Sequence, residues 1–453
     1  MSKTELSSIL SIALLMAFRM LGMFMILPIF ATAATELSGS TPALIGLTLG
    51  VYGLTQAMLQ IPFGALSDRF GRKPIIALGL VLLIAGSIIA AHAETIYGVL
   101  IGRALQGAGA IGSTCLALLS DLTRDENRSK AMAMVGMMIG ISFSIAIVLG
   151  PLVNHYFQLN GIFWTTAGLG ALAIILLFTT IAKPPRLTLA TTTESALSRY
   201  RSVFFNRQLL RLNAGIFSQH ALLTSLFVIL PIVFTQYLGL NNHQQTMTYL
   251  VLLAGSFLAS IPLIIVAEAW RKMKPVFLIA IATLTLTSLC LASFHQSRWD
   301  VFVLLFLFFC AFSLLEAMLP SLVSKLASIR HTGSAMGIYS SSQFLGIFVG
   351  GSVSGWLSGH FAISGVLLFM TALGLIWFGF ASSMQQPPYL STVIFSAPKN
   401  TQLTRQLIEQ FQNAAGIQEA AFAQEEQLIY LKVDKKIANV NELRNQVEAC
   451  NLA

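Results

Sequence analysis

The chain has 453 residues, 55% of them hydrophobic and only 10% charged, with a mean hydropathy of +0.76. A soluble domain carries about 25% charged residues, so the composition excludes a soluble enzyme as the bulk of the chain and makes a bilayer its solvent. The formal charge of +9 does not make it a nucleic-acid binder, because the bases sit in short loops between apolar runs and form no basic face.

The chain opens with Lys3 and an apolar run ending near Ala31-Thr32-Ala33, the outline of a signal peptide. The run is too long for that and Arg19 interrupts it, so it reads as an uncleaved first span. A span needs about 20 mostly apolar residues. About twelve such segments follow one another, at 9–33, 43–65, 74–93, 96–120, 131–154, 161–182, 210–236, 246–269, 275–294, 300–324, 334–357 and 362–384. Between the second and third lies Gly64-Ala-Leu-Ser-Asp-Arg-Phe-Gly-Arg-Lys73, with four ionised residues: Asp68, Arg69, Arg72 and Lys73. Positive-charge sorting accounts for the bases; it leaves Asp68 in need of a partner.

Of the Lys and Arg in the loops between spans, all but Arg298 lie in loops that follow even-numbered spans. That asymmetry puts both termini in the cytoplasm. The halves also echo each other. Ile61-Pro62, Asp68 and Arg72-Lys73-Pro74 are answered by Ile261-Pro262, Glu268 and Arg271-Lys272-Met273-Lys274-Pro275. Leu119-Ser120-Asp121 is answered by Val323-Ser324-Lys325. Matched landmarks in one order argue for duplication. The expected division is a six-helix bundle at 1–182, a cytoplasmic linker at 183–207, a second six-helix bundle at 208–386 and a soluble domain at 389–453.

That last stretch holds seven of the 18 acids. Its pattern predicts a strand at 391–396, a helix at 401–415 stopped by Gly416, strands at 418–423 and 428–433 around Glu425-Glu426, and a helix from Val440 to Cys450. The order βαββα is that of a ferredoxin-like module. No paired-cysteine loop follows the first strand, and Cys115, Cys290, Cys310 and Cys450 have neither disulfide nor zinc spacing. No metal or other cofactor is expected.

With these residues in view, the chain resembles the major facilitator superfamily. Gly64 to Lys73 is similar to that family's loop motif between spans two and three. Leu100-Ile-Gly-Arg103-Ala-Leu-Gln106-Gly107-Ala-Gly109-Ala110 resembles the span-four motif of its proton-coupled exporters. Gly150-Pro151 resembles the end of the antiporter motif, with Ala146 and Met137 where the motif has glycines and no trailing glycine pair. Tail included, the chain is similar to a subgroup found in the bacterial inner membrane. The resemblance implies an all-α polytopic fold, twelve transmembrane helices in two bundles, with an α+β tail. It also implies a gate on the cytoplasmic face, framed by Gly64 and Gly71. In that gate Arg72 pairs with Asp121, and Asp68 faces the N-terminal end of span eleven near Gly333.

Charges inside a bilayer cost about 2.5–3.5 kcal/mol on insertion scales, so each needs a reason. Arg19 in span one, Arg103 in span four, His220 in span seven and Glu316 in span ten are such residues, and together they are the proton-coupling candidates. Desolvation raises a buried carboxylate towards neutral pH and histidine titrates there unaided, which makes Glu316 the first proton-carrier candidate and His220 the second. Arg103 lowers the proton affinity of any acid near it. Glycines at four-residue spacing (Gly136/Gly140, Gly346/Gly350, Gly351/Gly355) are expected to let helices approach closely. The functional expectation is proton-coupled export of small amphipathic molecules. A facilitator or symporter on the same fold, or a membrane sensor regulated through its tail, are the alternatives. The expected partners are a small-molecule substrate, protons and lipid, with possible self-association through the tail. No phosphate loop or nucleophile–base set marks an enzyme.

Overall fold

The computed structural model describes residues 3–452 apart from Arg124 and the segments 183–202, 329–331, 387–389, 399–400, 424–426 and 435–436. Most of the expected linker and the Glu425-Glu426 turn lie outside the described residues.

The first half comprises α1 (Lys3–Phe24), α2 (Phe30–Ala33), α3 (Pro42–Phe70), α4 (Arg72–Ala91), α5 (Ile96–Ala108), α6 (Gly112–Leu122) and α7 (Asp125–Thr179). The second comprises α8 (Arg207–Ile232), a π-helical turn at Val233–Tyr237, α9 (Asn242–Ala269), α10 (Met273–Phe294), α11 (Arg298–Leu326) and α12 (Thr332–Ser382). Local chemistry sets several starts. Thr41 caps α3 through its hydroxyl, with Pro42 in the first turn; Thr95 and Ser297 cap α5 and α11 in the same way, and Asn206 caps α8 through its side-chain amide oxygen.

Nine helical segments among the described residues are long and apolar enough to cross a membrane. Large apolar side chains such as Leu78, Val81, Ile101, Ile175 and Leu375 face outward along them. An outer surface of this kind is stable only against lipid, so the chain is an integral membrane protein. Two segments, Met134–Thr179 and Gly333–Ser382, are 46 and 50 residues long. Each is two helices joined at a single non-helical residue, Gln158 (φ 57°) in α7 and Ala362 (φ 52°) in α12. Span four is itself broken: Gly109 (φ −71°, ψ 53°) makes an inverse γ-turn, with the Ala110 N–H on the Ala108 carbonyl at 2.8 Å, and separates α5 from α6. Two backbones meet there, since a Cβ on Gly109 would lie 2.3 Å from the Gly79 carbonyl oxygen.

The backbone carries the duplication more plainly than the side chains do. Pro62 lies inside α3 and Pro262 inside α9. Gly71 (φ 94°) ends α3, and the second half makes its equivalent turn at Arg271 (φ 53°), a residue for which that conformation is strained. The Gln158 and Ala362 breaks form a further pair.

The tail folds as β1 (Ser391–Ser396), α13 (Thr401–Gln412), β2 (Ile417–Ala423), β3 (Leu428–Val433) and α14 (Val440–Leu452). The sheet is antiparallel in the order β1-β3-β2, with Ser391 opposite Val433 and Ala423 opposite Leu428. Phe395, Phe411, Ile429, Leu431, Leu443 and Val447 form its separate small core.

Candidate functional site

The charged loop is built around Arg72, the first residue of α4. Its Nε donates to Asp121 Oδ2 at 3.0 Å and its Nη1 to Ser67 Oγ at 2.7 Å and to Asp68 Oδ1. Arg72 and Asp121 are mostly buried, whereas the Asp68 side chain is 51% exposed. Gly71, in its left-handed conformation, turns the chain sharply enough for one guanidinium to reach both helix ends. Gly64 lies over Ser113 of α6. Among the described residues Asp68 pairs with Arg72, and a Cβ at Gly333 would meet nothing within 4 Å.

The reason lies in how the halves pack. Away from this loop, α3 and α12 touch backbone to backbone. A Cβ on Gly46 would lie 2.3 Å from the Gly351 oxygen and 2.5 Å from the Gly355 Cα; one on Gly50 would lie 2.7 Å from the Phe348 oxygen. Tyr249 Oη donates to the Pro28 carbonyl at 3.5 Å, also across the halves. Towards the loop the last described bond between α3 and α12 runs from Ser341 Oγ to the Ala57 carbonyl. The halves are thus closed at the end opposite the loop, and Asp68 has no partner from the second half among the described residues. The expected close approach at Gly136 and Gly140 is absent as well, with nothing within 4 Å of either. Gly346 and Gly350 do pack on the backbone of α8, at Phe217 and Ala221.

Arg19 and Arg103 are each 2% exposed in the first half. Arg19 Nη2 donates to Tyr52 Oη at 3.1 Å and to Gln56 Oε1 at 2.6 Å, and Gln56 donates on to Gln60 at 2.8 Å. Arg103 Nη1 donates to Gln106 Oε1 at 2.9 Å, and Gln106 donates to Ser87. The Arg103 guanidinium also lies over the Tyr52 ring, 4.7 Å from its centroid. Gly107 lets α5 and α3 meet, since a Cβ there would lie 2.2 Å from the Tyr52 oxygen.

The second half holds the acid. Gln219 Nε2 donates to Glu316 Oε2 at 2.9 Å, and His220 Nε2 lies 3.9 Å from the same oxygen. Gln343 Nε2 is 2.7 Å from His220 Nε2. His220 is buried, while the Glu316 side chain, in α11, is 41% exposed. Rings bridge the halves beside it: Phe24 on Phe143, Phe143 on Phe312, and Phe312 against His220. Thus Glu316 and His220 come together, as do Arg19 and Arg103, but the two pairs do not touch.

The tail is docked on the second half. Asp434 pairs with Arg271, and the buried Lys432 ammonium donates to the carbonyls of Ser324, Lys325 and Ala327 at the end of α11. Burial pushes Lys432 below the usual lysine range, with Glu419 pulling the other way. Sequence reasoning missed this contact because Lys432 alternates like a solvent-facing strand residue. It also missed Tyr52, Gln56 and Gln60, although their four-residue spacing puts a polar stripe on one face of an apolar span.

The chain belongs to the Major Facilitator Superfamily, whose sequence profile matches residues 12–350 and 212–415. It is 42% identical over 431 residues to the inner membrane transport protein YajR of Escherichia coli (strain K12), covering 95% of each chain. It is 26% identical over 346 residues to the multidrug resistance protein MdtH of Aeromonas salmonicida (strain A449), covering 75% of this chain and 83% of the other. The crystal structure of the D-xylose-proton symporter superposes with a TM-score of 0.69 at 16% identity, over 85% of this chain and 99% of the other, a likeness of fold. The protein is a membrane transporter of this superfamily and not an enzyme.

Proposed function

We propose that the chain is a secondary transporter of the bacterial inner membrane that exports small amphipathic solutes in exchange for protons. It crosses the membrane twelve times: the two broken helices each count twice, and α5 with α6 makes span four. Both termini and the loop at Gly64–Lys73 face the cytoplasm, so the conformation described is open inward. Arg72 and Asp121 hold the loop within the first half. When the inner face closes, Asp68 swings to the N-terminal end of α12 near Gly333. A carboxylate there gains about 0.3–1 kcal/mol, up to about 2 when partly buried. The tail is a ferredoxin-like module, and its docking on Arg271 and α11 favours a regulatory role for it.

The observation that carries this reading is Glu316, a carboxylate within a membrane helix whose side chain is 41% exposed, with Gln219 donating to it and His220 3.9 Å away; in this reading it faces the transport space. Such a group binds and releases protons as the space opens to one side and then the other. The relative named as a multidrug resistance protein supports the export direction. The test is reconstitution in liposomes with an imposed pH gradient and a panel of cationic, neutral and anionic dyes. Glu316→Gln is expected to abolish gradient-driven flux in a folded protein. Unchanged flux with unchanged pH dependence would overturn the assignment.

A further inference from the structure

Arg19 and Arg103 are both buried in the membrane part, each 2% exposed. Neither is in an ion pair among the described residues. Their acceptors are a phenol and two amide oxygens, all neutral, and Arg103 Nε has no acceptor at all. Two guanidinium groups therefore meet one tyrosine, Arg103 over its ring and Arg19 at its hydroxyl, both out of water and neither paired with a carboxylate among the described residues. A buried guanidinium that lacks a counter-charge is among the least favourable arrangements in a protein. One evolved for a fixed scaffold would be expected to have an internal acid.

Two neighbouring features add to the same field. The half-helix α6 begins at Gly112 in mid-span, and Ile111 gives it no side-chain cap. Its first N–H groups carry the positive end of the helix dipole. Arg19 Nη1 lies 3.6 Å from where a Gly112 Cβ would be, so one guanidinium and this helix start share a locus. A broken membrane helix whose N-terminus meets an anionic group is a recurrent transporter device.

We infer that Arg19 and Arg103 receive an oxyanion, carboxylate or phosphate, carried by the transported solute. This rests on the transport reading above and names the solute's chemical class. On its seam side the site is covered in the present conformation. Tyr52 sits between Gly50 and Gly53 on the seam where α3 meets α12, and its ring centroid is 6.4 Å from that of Phe344 on α12. When the seam parts, Phe344 leaves and the tyrosine that both guanidiniums contact is uncovered. An anion held there is then presented to the face opposite the loop. Glu316, in the other half, contributes no charge to this site and remains available for the proton.

The test uses the full-length protein in detergent with four probes: benzoate, inorganic phosphate, uncharged benzamide and cationic benzamidine. Thermal unfolding is followed against probe concentration. Benzoate or phosphate is expected to raise the midpoint in a saturable way, with benzamide and benzamidine inactive. Arg103→Gln and Arg19→Gln should weaken the anion about tenfold to a hundredfold, the scale of one lost charge-assisted hydrogen bond. Arg103→Lys and Arg19→Lys, which keep the charge and the fold, should retain part of the effect. Saturable stabilisation by benzamidine, no saturable shift from either anion, or an anion shift that survives both Gln variants overturns the inference. Flux measurements separate this from the coupling reading. Proton-driven flux restricted to cationic dyes defeats the anion site alone. Arginine-dependent anion binding with flux indifferent to the pH gradient defeats proton coupling alone.

Discussion

Gly46→Ala adds one methyl group at the tightest point of the seam between the halves. The new Cβ would sit 2.3 Å from the Gly351 oxygen, 2.5 Å from the Gly355 Cα and 2.8 Å from the Gly355 nitrogen. Nonbonded heavy atoms rest at about 3.5–4.0 Å, so the helices must part by about 1 Å or more. The obstructing atoms are backbone and cannot rotate away as a side-chain end would. Overpacking of this kind costs about 1–3 kcal/mol, and the cost falls only on the conformation in which the seam is closed. The equilibrium should therefore move towards the loop-closed state by roughly fivefold to 150-fold. Spin labels at Phe70→Cys and Trp270→Cys, both exposed positions near the loop end of each half, report this in a background without the native cysteines. The longer inter-label distance should lose population to a shorter one. Gly168→Ala, where a Cβ meets nothing within 4 Å, is the matched control and should leave the distribution alone. If Gly46→Ala matches the control, the seam is not what holds the halves closed at that end.

Asp121→Asn should lower the unfolding midpoint more than Asp68→Asn, because Asp121 is 13% exposed and Asp68 51%; exposed pairs contribute at most about 1 kcal/mol. Equal losses would show that the loop draws equally on both acids. If Asp68 closes the inner gate, Asp68→Asn should also raise the population of the longer label distance. Lys432→Met removes the charge-assisted bonds to the end of α11, worth about 1.5–3 kcal/mol. Hydrogen exchange at residues 324–327 and protease cleavage between β1 and the last helix of the membrane part should both quicken; unchanged protection would mean that Asp434 and Arg271 suffice for docking.

The family was legible because its loop motif is dense in charge where the rest of the chain has almost none, and because bases alternate from loop to loop. Glu316 and His220 were legible as companions only by being polar in apolar runs; their approach to 3.9 Å needed helix rotations that hydropathy does not fix. The seam was half legible. Gly351 and Gly355 stood out by spacing, but their partners Gly46 and Gly50 lie some 300 residues away, and the identical spacing at Gly136 and Gly140 packs against nothing. The break in span four could not be read, since no proline marks it. Its cause is the close approach of Gly109 to Gly79, a tertiary contact.

Arg271 holds a left-handed turn that its counterpart, Gly71, adopts freely, and the carboxylate set against it comes from Asp434. Asp434 and Lys432 follow every apolar segment in the chain. During synthesis the second bundle is therefore complete in the membrane before its turn at Arg271 and the end of α11 receive their partners. Maturation of that half has a last step that waits on the ribosome, and a chain stopped after Ser382 would insert with that turn and helix end unfinished.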